Sequence, residues 1–273
     1  MAFVSISDFR SITGIGESAM LDADAYRFLS IASAYAMSIT GRVFGSVVES
    51  ITQSSSNANV VSHGHGLGES GTVYLANAGA MTGVKTFTRV DRNCLVLSNV
   101  TVSALTGTAV LCPLFQGDFQ VRDSRIRVAP SPIASIKEVR LDLPWGAAEA
   151  RFDDTTIIDS SRYYVVDEPN PVFTQEVELD AQISARHRVR RPGMILPQLE
   201  RTRRVARVWW YAGCPLPDDL TVAVASMAKE IFVNPGEQMQ SEGVDYYNYS
   251  RMSVSEAMQL PLSSIATLLR YRG

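Results

Sequence analysis

The chain has 273 residues, with 25 lysines and arginines against 28 aspartates and glutamates, so its formal net charge is −3. With 46% hydrophobic and 19% charged residues, it is long enough to bury a sizeable core in one large domain or two ordinary ones. This composition excludes a disordered or fibrous protein. The slightly acidic balance argues against a general nucleic-acid binder, because neutralising the phosphate backbone needs a basic excess.

Cysteine usage and leader segments indicate where the chain folds. Cys94, Cys112 and Cys214 are too few and too scattered for a disulfide framework or a structural zinc site. Residues 1–14 contain no apolar stretch of the signal-peptide type, and the uncharged residues 93–117 are broken by polar residues, Gly and Pro. We therefore expect a reduced, intracellular place of folding and no membrane segment.

The N-terminal residues predict two helices. A short helix is expected within residues 5–13, starting from Ser7. A long helix follows, capped by Asp22 or Asp24 and ended by Gly41 at a left-handed C-terminal position. Its apolar residues fall on one helical face: Ala25, Phe28, Leu29, Ala32, Tyr35, Ala36 and Ile39.

Residues 45–212 predict a β-rich region, since short runs rich in Val, Ile, Thr and aromatics alternate with turn residues. The predicted strands are 72–75, 85–90, 94–102, 119–128, 136–143, 162–166 and 203–211. Residues 53–71 are rich in Ser, Asn, Gly and His and predict a mobile loop. No period of 20 to 50 residues recurs, so a repeat protein is not expected.

The C-terminal residues return to helical patterning. Asp218 or Asp219 is placed to cap a helix that Pro235-Gly236 would stop, and Pro261 suits the first turn of a last short helix. The predicted fold class is α+β: a small α-helical bundle from the N- and C-terminal helices with a large inserted antiparallel β-rich region. The predicted domains are a helical core of residues 1–44 and 213–273 and a β-rich inserted region of residues 45–212.

The strongest local motif for a cofactor is a glycine pattern in the predicted loop. Residues 66–71, Gly-Leu-Gly-Glu-Ser-Gly, match the dinucleotide fingerprint, but the strand-like residues after them replace the helix that phosphate binding needs. His63, His65 and Glu69 suggest a metal site, yet no further ligand stands at zinc spacing. We expect neither a cofactor nor a metal here.

No catalytic constellation is found among the remaining titratable residues. His187 lies in a basic run without a nucleophile motif, and neither a Gly-x-Ser-x-Gly elbow nor a phosphate-binding loop occurs. Asp153-Asp154 would point to opposite faces of a strand, and Asp218-Asp219 is better explained as a helix cap. We therefore expect a protein that is not an enzyme.

One segment stands out by charge. Residues 186–207 hold a single acid, Glu200, and eight arginines: Arg186, Arg188, Arg190, Arg191, Arg201, Arg203, Arg204 and Arg207. This pattern indicates a hairpin or long loop that meets an acidic partner or passing nucleic acid, and the alternative is a solvated hairpin tip. Nearby, Trp209 and Trp210 would face opposite sides of a strand, one in the core and the other as a contact residue.

Several segments, in order along the chain, together resemble the head–tail connector (adaptor) family of tailed bacteriophages. The first is Ser-Ile-Thr-Gly-Arg-Val-Phe at 38–44, where members often close a long helix with a Thr-Gly-Arg-x-Phe-like turn. A later strand of the form Arg-Val-x-Trp/Thr-Tyr-x-Ala-Gly leads into Pro-x-Asp-Leu and a helix. Here residues 207–213 read Arg-Val-Trp-Trp-Tyr-Ala-Gly and residues 217–220 read Pro-Asp-Asp-Leu. The other matching segments are 132–139, 164–167, 241–246 and 268–272.

The resemblance covers about half of the chain. The chain departs from the family in size, since typical members are much shorter. The family pattern does not explain residues 45–129. The resemblance implies a structural virion protein that forms a ring, twelvefold in the family, beneath the portal of a DNA-filled head. The implied partners are the portal protein, a tail-side neck protein, other copies of the chain, and genomic DNA that passes without sequence-specific binding.

The resemblance also implies contact residues and a location. The terminal residues Arg270, Tyr271 and Arg272 are the expected portal contact, with a frayed terminus as the alternative. The expected location is the virion neck after synthesis in the bacterial cytoplasm. Two other functions stay open: a stopper or tail-completion neck protein, and a β-rich hydrolase or glycan-binding module that uses the His63 and His65 loop.

Overall fold

The computed structural model describes residues 2–103, 105, 108–122, 124–141, 152, 156–166, 168–180, 205–233 and 261–272. Within these ranges the chain forms four α-helices, twelve β-strands and short 3-10 turns. The strands form a large antiparallel sheet. The predicted α+β class is therefore confirmed at this level.

The helices are α1 (Ile6–Thr13), α2 (Asp22–Thr40), α3 (Asp218–Val233) and α4 (Leu262–Arg270). Ser5, not Ser7, caps α1, because its hydroxyl accepts a hydrogen bond from the backbone N–H of Asp8 at 3.0 Å. The predicted cap of α2 by Asp22 or Asp24 is also wrong. Both carboxylates lie inside the first turn, where the positive end of the helix dipole stabilises their negative charge.

The strands are β1 (Ser46–Val47), β2 (Ser50–Ser54), β3 (Asn57–Val61), β4 (Ser70–Ala76), β5 (Gly83–Arg89), β6 (Cys94–Leu97), β7 (Val110–Arg122), β8 (Arg125–Arg127), β9 (Ile133–Leu141), β10 (Tyr163–Val165), β11 (Glu176–Leu179) and β12 (Val205–Ala212). Five of the seven predicted strands are confirmed within a few residues. The other two are corrected by turns, since β6 ends two residues before Asn99, whose φ is 55°, and Ser124 with φ 69° divides residues 119–128 into a hairpin of β7 and β8.

Residues 53–71 are not one loop. The hairpin of β2 and β3 occupies residues 50–61, and Ser55 makes its turn with a φ of 55°. The β3 strand buries Ala58 and Val60 on one face, while β2 is mostly exposed and polar. Polar residues on a solvent-facing strand give the same signal as a loop, which explains the error.

The chain divides into two compact units, and unit 1 comprises Met1–Cys112 and Pro215–Gly273. In unit 1, α3 packs against α1, α2 and α4, so helices from both chain ends lie together. A separate apolar cluster forms between the strands; it includes Val60, Val73, Leu75, Leu95 and Leu97.

Unit 2 is Pro113–Cys214. Its strand β12 pairs with both β7 and β9, and β8, β11 and β10 continue from β7. Its core includes Val139, Val208 and Trp210. The sequence placed the domain boundaries at residues 44/45 and 212/213, whereas the compact units divide at 112/113 and 214/215, because β1 to β6 cluster with the helices.

Candidate functional site

The last helix, α4, is anchored to unit 1 by one face. Ser264 and Leu268 are buried, one helical turn apart. The backbone ends in a tight turn at Tyr271, whose N–H donates to the carbonyl of Leu268 at 3.0 Å. The described C-terminal residues are therefore held in place by packing and hydrogen bonds.

Tyr271 connects three segments that are far apart in the sequence. The Nε of Arg42, which is only 2% exposed, donates to the Tyr271 carbonyl at 2.7 Å. The Tyr271 hydroxyl donates to Oδ1 and Oδ2 of Asp219 at 2.9 and 3.1 Å. A buried guanidinium needs hydrogen-bond acceptors, so the bond to the Tyr271 carbonyl offsets part of the free-energy cost of burying Arg42. We call Arg42, Asp219 and Tyr271 the terminal network.

The opposite face of α4 is apolar and exposed. Leu262 is 83% exposed and Leu269 is 49% exposed, and Ala266 is exposed between them. These positions are spaced i, i+4 and i+7, so they lie along one side of the helix. Arg270 and Arg272 are exposed just beyond this stripe. We call these five residues the C-terminal surface.

The three predicted contact residues at the C-terminus therefore differ in exposure. Arg270 and Arg272 are exposed as expected of contact residues, whereas Tyr271 is half-buried and hydrogen-bonded. A frayed end is thus wrong for Tyr271. The predicted arginines before β12 lie outside the described residues: Arg186, Arg188, Arg190, Arg191, Arg201, Arg203 and Arg204.

The glycine and histidine motif serves local structure in unit 1. His65 is buried, its Nδ1 accepts a hydrogen bond from the N–H of Leu67 at 3.0 Å, and its Nε2 faces the carbonyl of Asp91 at 3.3 Å. These partners fix a neutral ring with the proton on Nε2, and burial lowers the pKa of His65. Strand β4 begins at Ser70, so the expected strand after the glycine pattern is confirmed.

His63 belongs to a cleft beside α2. Its ring stacks on Tyr26 with 3.3 Å between centroids, and burial lowers its pKa. Burial also raises the pKa of Tyr26, and the Glu49 carboxylate adds to this effect. The cleft measures about 660 Å³, and Arg27 and Arg92 also line it. The stacking of the two rings and the hydrogen bond between Tyr26 and Glu49 explain these residues as a packed wall of the cleft.

The carboxylate pairs and candidate metal ligands do not converge. Among the residues that the structure describes, no group of three or more His, Cys, Asp or Glu side chains is placed to hold a metal ion. Asp218 and Asp219 lie inside the first turn of α3, so their predicted role as the helix cap is wrong, and the positive end of the helix dipole stabilises their negative charge instead. His187 and the pair Asp153-Asp154 lie outside the described ranges.

The two tryptophans of β12 face opposite sides, as predicted. Trp210 is in the core of unit 2, where its Nε1–H donates to the carbonyl of Pro130 at 2.9 Å. Trp209 is half-buried beneath the guanidinium of Arg140, 5.1 Å from the ring centroid. On the neighbouring strands, Arg207 makes a bidentate pair with Asp118 at 2.6 and 2.8 Å.

A basic cleft on unit 2 was missed by the sequence reasoning. It measures about 590 Å³, and we call it the arginine cleft; it is lined by Phe119, Gln120, Arg122, Arg125, Arg127 and Glu176. The arginines are spread over two strands, and only the β7–β8 register places them together. The signal in the sequence was three arginines within six residues, which the single predicted strand over 119–128 would have divided between two faces.

Comparisons with known proteins leave the chain without an assigned family. Neither the scan against protein-family models nor the search of the curated proteins gives a match. Within the described part of the chain, each helix is too short or too polar to span a lipid bilayer.

Proposed function

We propose that this chain is a head–tail connector (adaptor) of a tailed-phage particle. In this function it forms a homo-oligomeric ring under the portal, joins the DNA-filled head to the tail, and catalyses no reaction. The ring lies in the virion neck and lets genomic DNA pass without sequence-specific contacts.

The observation that carries the proposal is the terminal network. Arg42 comes from the Thr-Gly-Arg turn, Asp219 from the Pro-x-Asp-Leu segment, and Tyr271 from the C-terminal segment. These are three of the segments on which the resemblance rests. Hydrogen bonds connect these segments although 229 residues separate Arg42 from Tyr271: the Arg42 side chain donates to the Tyr271 backbone carbonyl, and the Tyr271 hydroxyl donates to Asp219. A set of chance matches in sequence gives no reason for such convergence.

The C-terminal surface supplies the portal contact in this proposal. An apolar stripe with arginines at its rim has the composition of a protein interface, where apolar residues lose water and arginines pair with carboxylates. The terminal network holds the end of α4 in place, so less conformational entropy is lost on docking. Arg270 and Arg272 are the expected rim residues.

The alternative within the same class is a stopper or tail-completion protein. Such a protein contacts tail components and not the portal. The C-terminal surface serves equally as a contact in that case, so the partner and the copy number distinguish the two functions.

The test is quantitative mass spectrometry of intact particles, comparing copies of this chain with copies of the portal. A ratio near one to one supports an adaptor ring stacked on the portal. Half that ratio favours a smaller ring further down the neck. Absence from particles contradicts the architectural function and returns attention to the cleft beside His63.

A further inference from the structure

Among the residues that the structure describes, the arginine cleft on unit 2 holds more arginines than nearby glutamates pair with. Arg122 and Arg125 stand directly opposite each other in the β7–β8 hairpin, and like charges in that arrangement are destabilising. Arg125 is compensated by Glu176 and Glu178, with 3.3 Å between nitrogen and oxygen in each pair. Within the described ranges Arg122 makes no ion pair, and its guanidinium donates to the Gln120 amide oxygen at 3.5 Å.

Arg127 completes the surplus. It is exposed, and among the described residues it makes no ion pair. Its neighbour across the strands is Glu176, whose carboxylate is already shared with Arg125. Among the described residues, three arginines against Glu176 and Glu178 leave one net positive charge, and the guanidinium groups of Arg122 and Arg127 are the ones without an ion pair there.

Unit 1 has exposed acidic residues where α1 connects to α2, with exposed Arg27 following them on α2. Glu17, Leu21 and Asp24 are exposed there, and Leu21 is 66% exposed. Asp22 is taken by Arg10, whereas Glu17 and Asp24 make no ion pair with any residue that the structure describes. We call Glu17, Leu21 and Asp24 the acidic corner.

We propose that the arginine cleft of one copy binds the acidic corner of the next copy. The two patches differ, so each copy offers one of each kind, and such a heterologous contact generates a ring when the rotation closes. Arginine is suited to this contact because its planar fork pairs with carboxylates at two positions.

Leu21 adds an exposed apolar side chain to the acidic corner, whereas Phe119, which also lines the cleft, packs against Trp210 in the core of unit 2. The contact therefore depends on the charged side chains. The net charge of −3 favours an acidic protein surface over nucleic acid as the occupant. The inference rests on the proposed function, since it names the subunit contact of the ring.

The test uses two charge-reversed variants of the full chain. Variant A carries Arg122→Glu and Arg127→Glu, and variant B carries Glu17→Arg and Asp24→Arg. Each variant alone places like charges in the contact. When the two variants are mixed in equal amounts, the acidic cleft of A meets the basic corner of B and the basic cleft of B meets the acidic corner of A. The two variants should therefore assemble in alternation. The measurement is native mass spectrometry with sedimentation velocity.

We expect wild type to assemble, each variant alone to dissociate with a dissociation constant raised at least about tenfold, and the mixture to assemble again. Recovery in the mixture also shows that both variants are folded. The matched control is Lys137→Glu, which reverses an exposed charge on β9 of unit 2 and is expected to leave assembly unchanged.

Three outcomes overturn the inference: a mixture that stays monomeric, a variant that assembles alone like wild type, or dissociation by Lys137→Glu as well. Binding of duplex DNA that is lost in variant A, without any change in assembly, assigns the cleft to nucleic acid instead. If the chain is found in particles at the portal ratio while the mixture stays monomeric, the adaptor function stands and only this contact is lost.

Discussion

His65 illustrates how one buried side chain links pH to stability. Burial lowers its pKa in the folded state below the unfolded value of about 6.5. The unfolded chain therefore binds the extra proton more readily, so the contribution of neutral His65 to stability is complete above a pH of about 6.5 and is lost as the pH falls from there through the lower folded pKa. His63 acts in the same direction, since burial lowers its pKa as well.

We predict that His65→Asn removes part of this pH dependence. The Asn side-chain oxygen can replace Nδ1 as the acceptor for the Leu67 N–H, while the bond to the Asp91 carbonyl is lost at a cost of about 1 kcal/mol. Urea unfolding from pH 8 to pH 5 measures the slope. An unchanged slope contradicts the assignment. His63→Asn with His65 retained should remove only the His63 share of the slope, so the share that remains reports on His65.

The terminal network gives a second prediction at the residue scale. In a double-mutant cycle of Tyr271→Phe and Asp219→Ala, we expect a coupling free energy of about 0.5–1 kcal/mol, because the hydrogen bond between the two side chains is partly exposed. Denaturant unfolding of the four proteins gives the value. Additive effects of the two substitutions show that the hydroxyl bond does not hold the C-terminus.

At the scale of single elements, Gly41 ends α2 for a conformational reason. Its φ is 68°, and a Cβ added there meets nothing within 4 Å. We predict that Gly41→Ala costs about 1 kcal/mol through backbone strain alone. Gly68→Ala is the matched control, since it also has open space but no left-handed φ, and its unfolding free energy should stay near wild type. Equal effects at both positions contradict the explanation.

Helix α4 carries the prediction that bears on function. Leu262→Asp with Leu269→Asp places charges on exposed positions, so the melting temperature should change little. Binding to purified portal rings, measured by co-sedimentation, should be lost because the docked charges are desolvated. Val222→Asp on α3, 48% exposed in wild type, is the control and should bind normally. Retained binding by the double variant removes the C-terminal surface from the portal contact.

At the scale of the whole molecule, the two units have separate apolar clusters. Leu97 is fully buried in the strand cluster of unit 1, and Val208 is fully buried in unit 2. Leu97→Ala should cost about 2–5 kcal/mol, and its faster hydrogen exchange should be confined to β3, β5 and β6. Val208→Ala should act on β7, β9 and β12. Exchange that rises equally in both units contradicts separate cores.

Much of the fold follows from local patterns that need no tertiary information. The apolar face of α2, the left-handed Gly41 and the alternating strand β12 are each encoded within one element, so periodicity and propensity are sufficient. The β2–β3 hairpin failed because its solvent face is polar, and the β7–β8 turn failed because Ser124 adopts a positive φ that is uncommon for serine.

The sequence by itself determined the α+β class and the helical ends, because periodicity and propensity depend on residues near one another in the chain. The tertiary structure decided which distant residues meet: Arg42 with Tyr271, and Arg122 with Arg125 across a hairpin. It also decided that strands β1 to β6 cluster with the helices. Such contacts depend on register and packing between elements, and one residue of slip places a side chain on the opposite face.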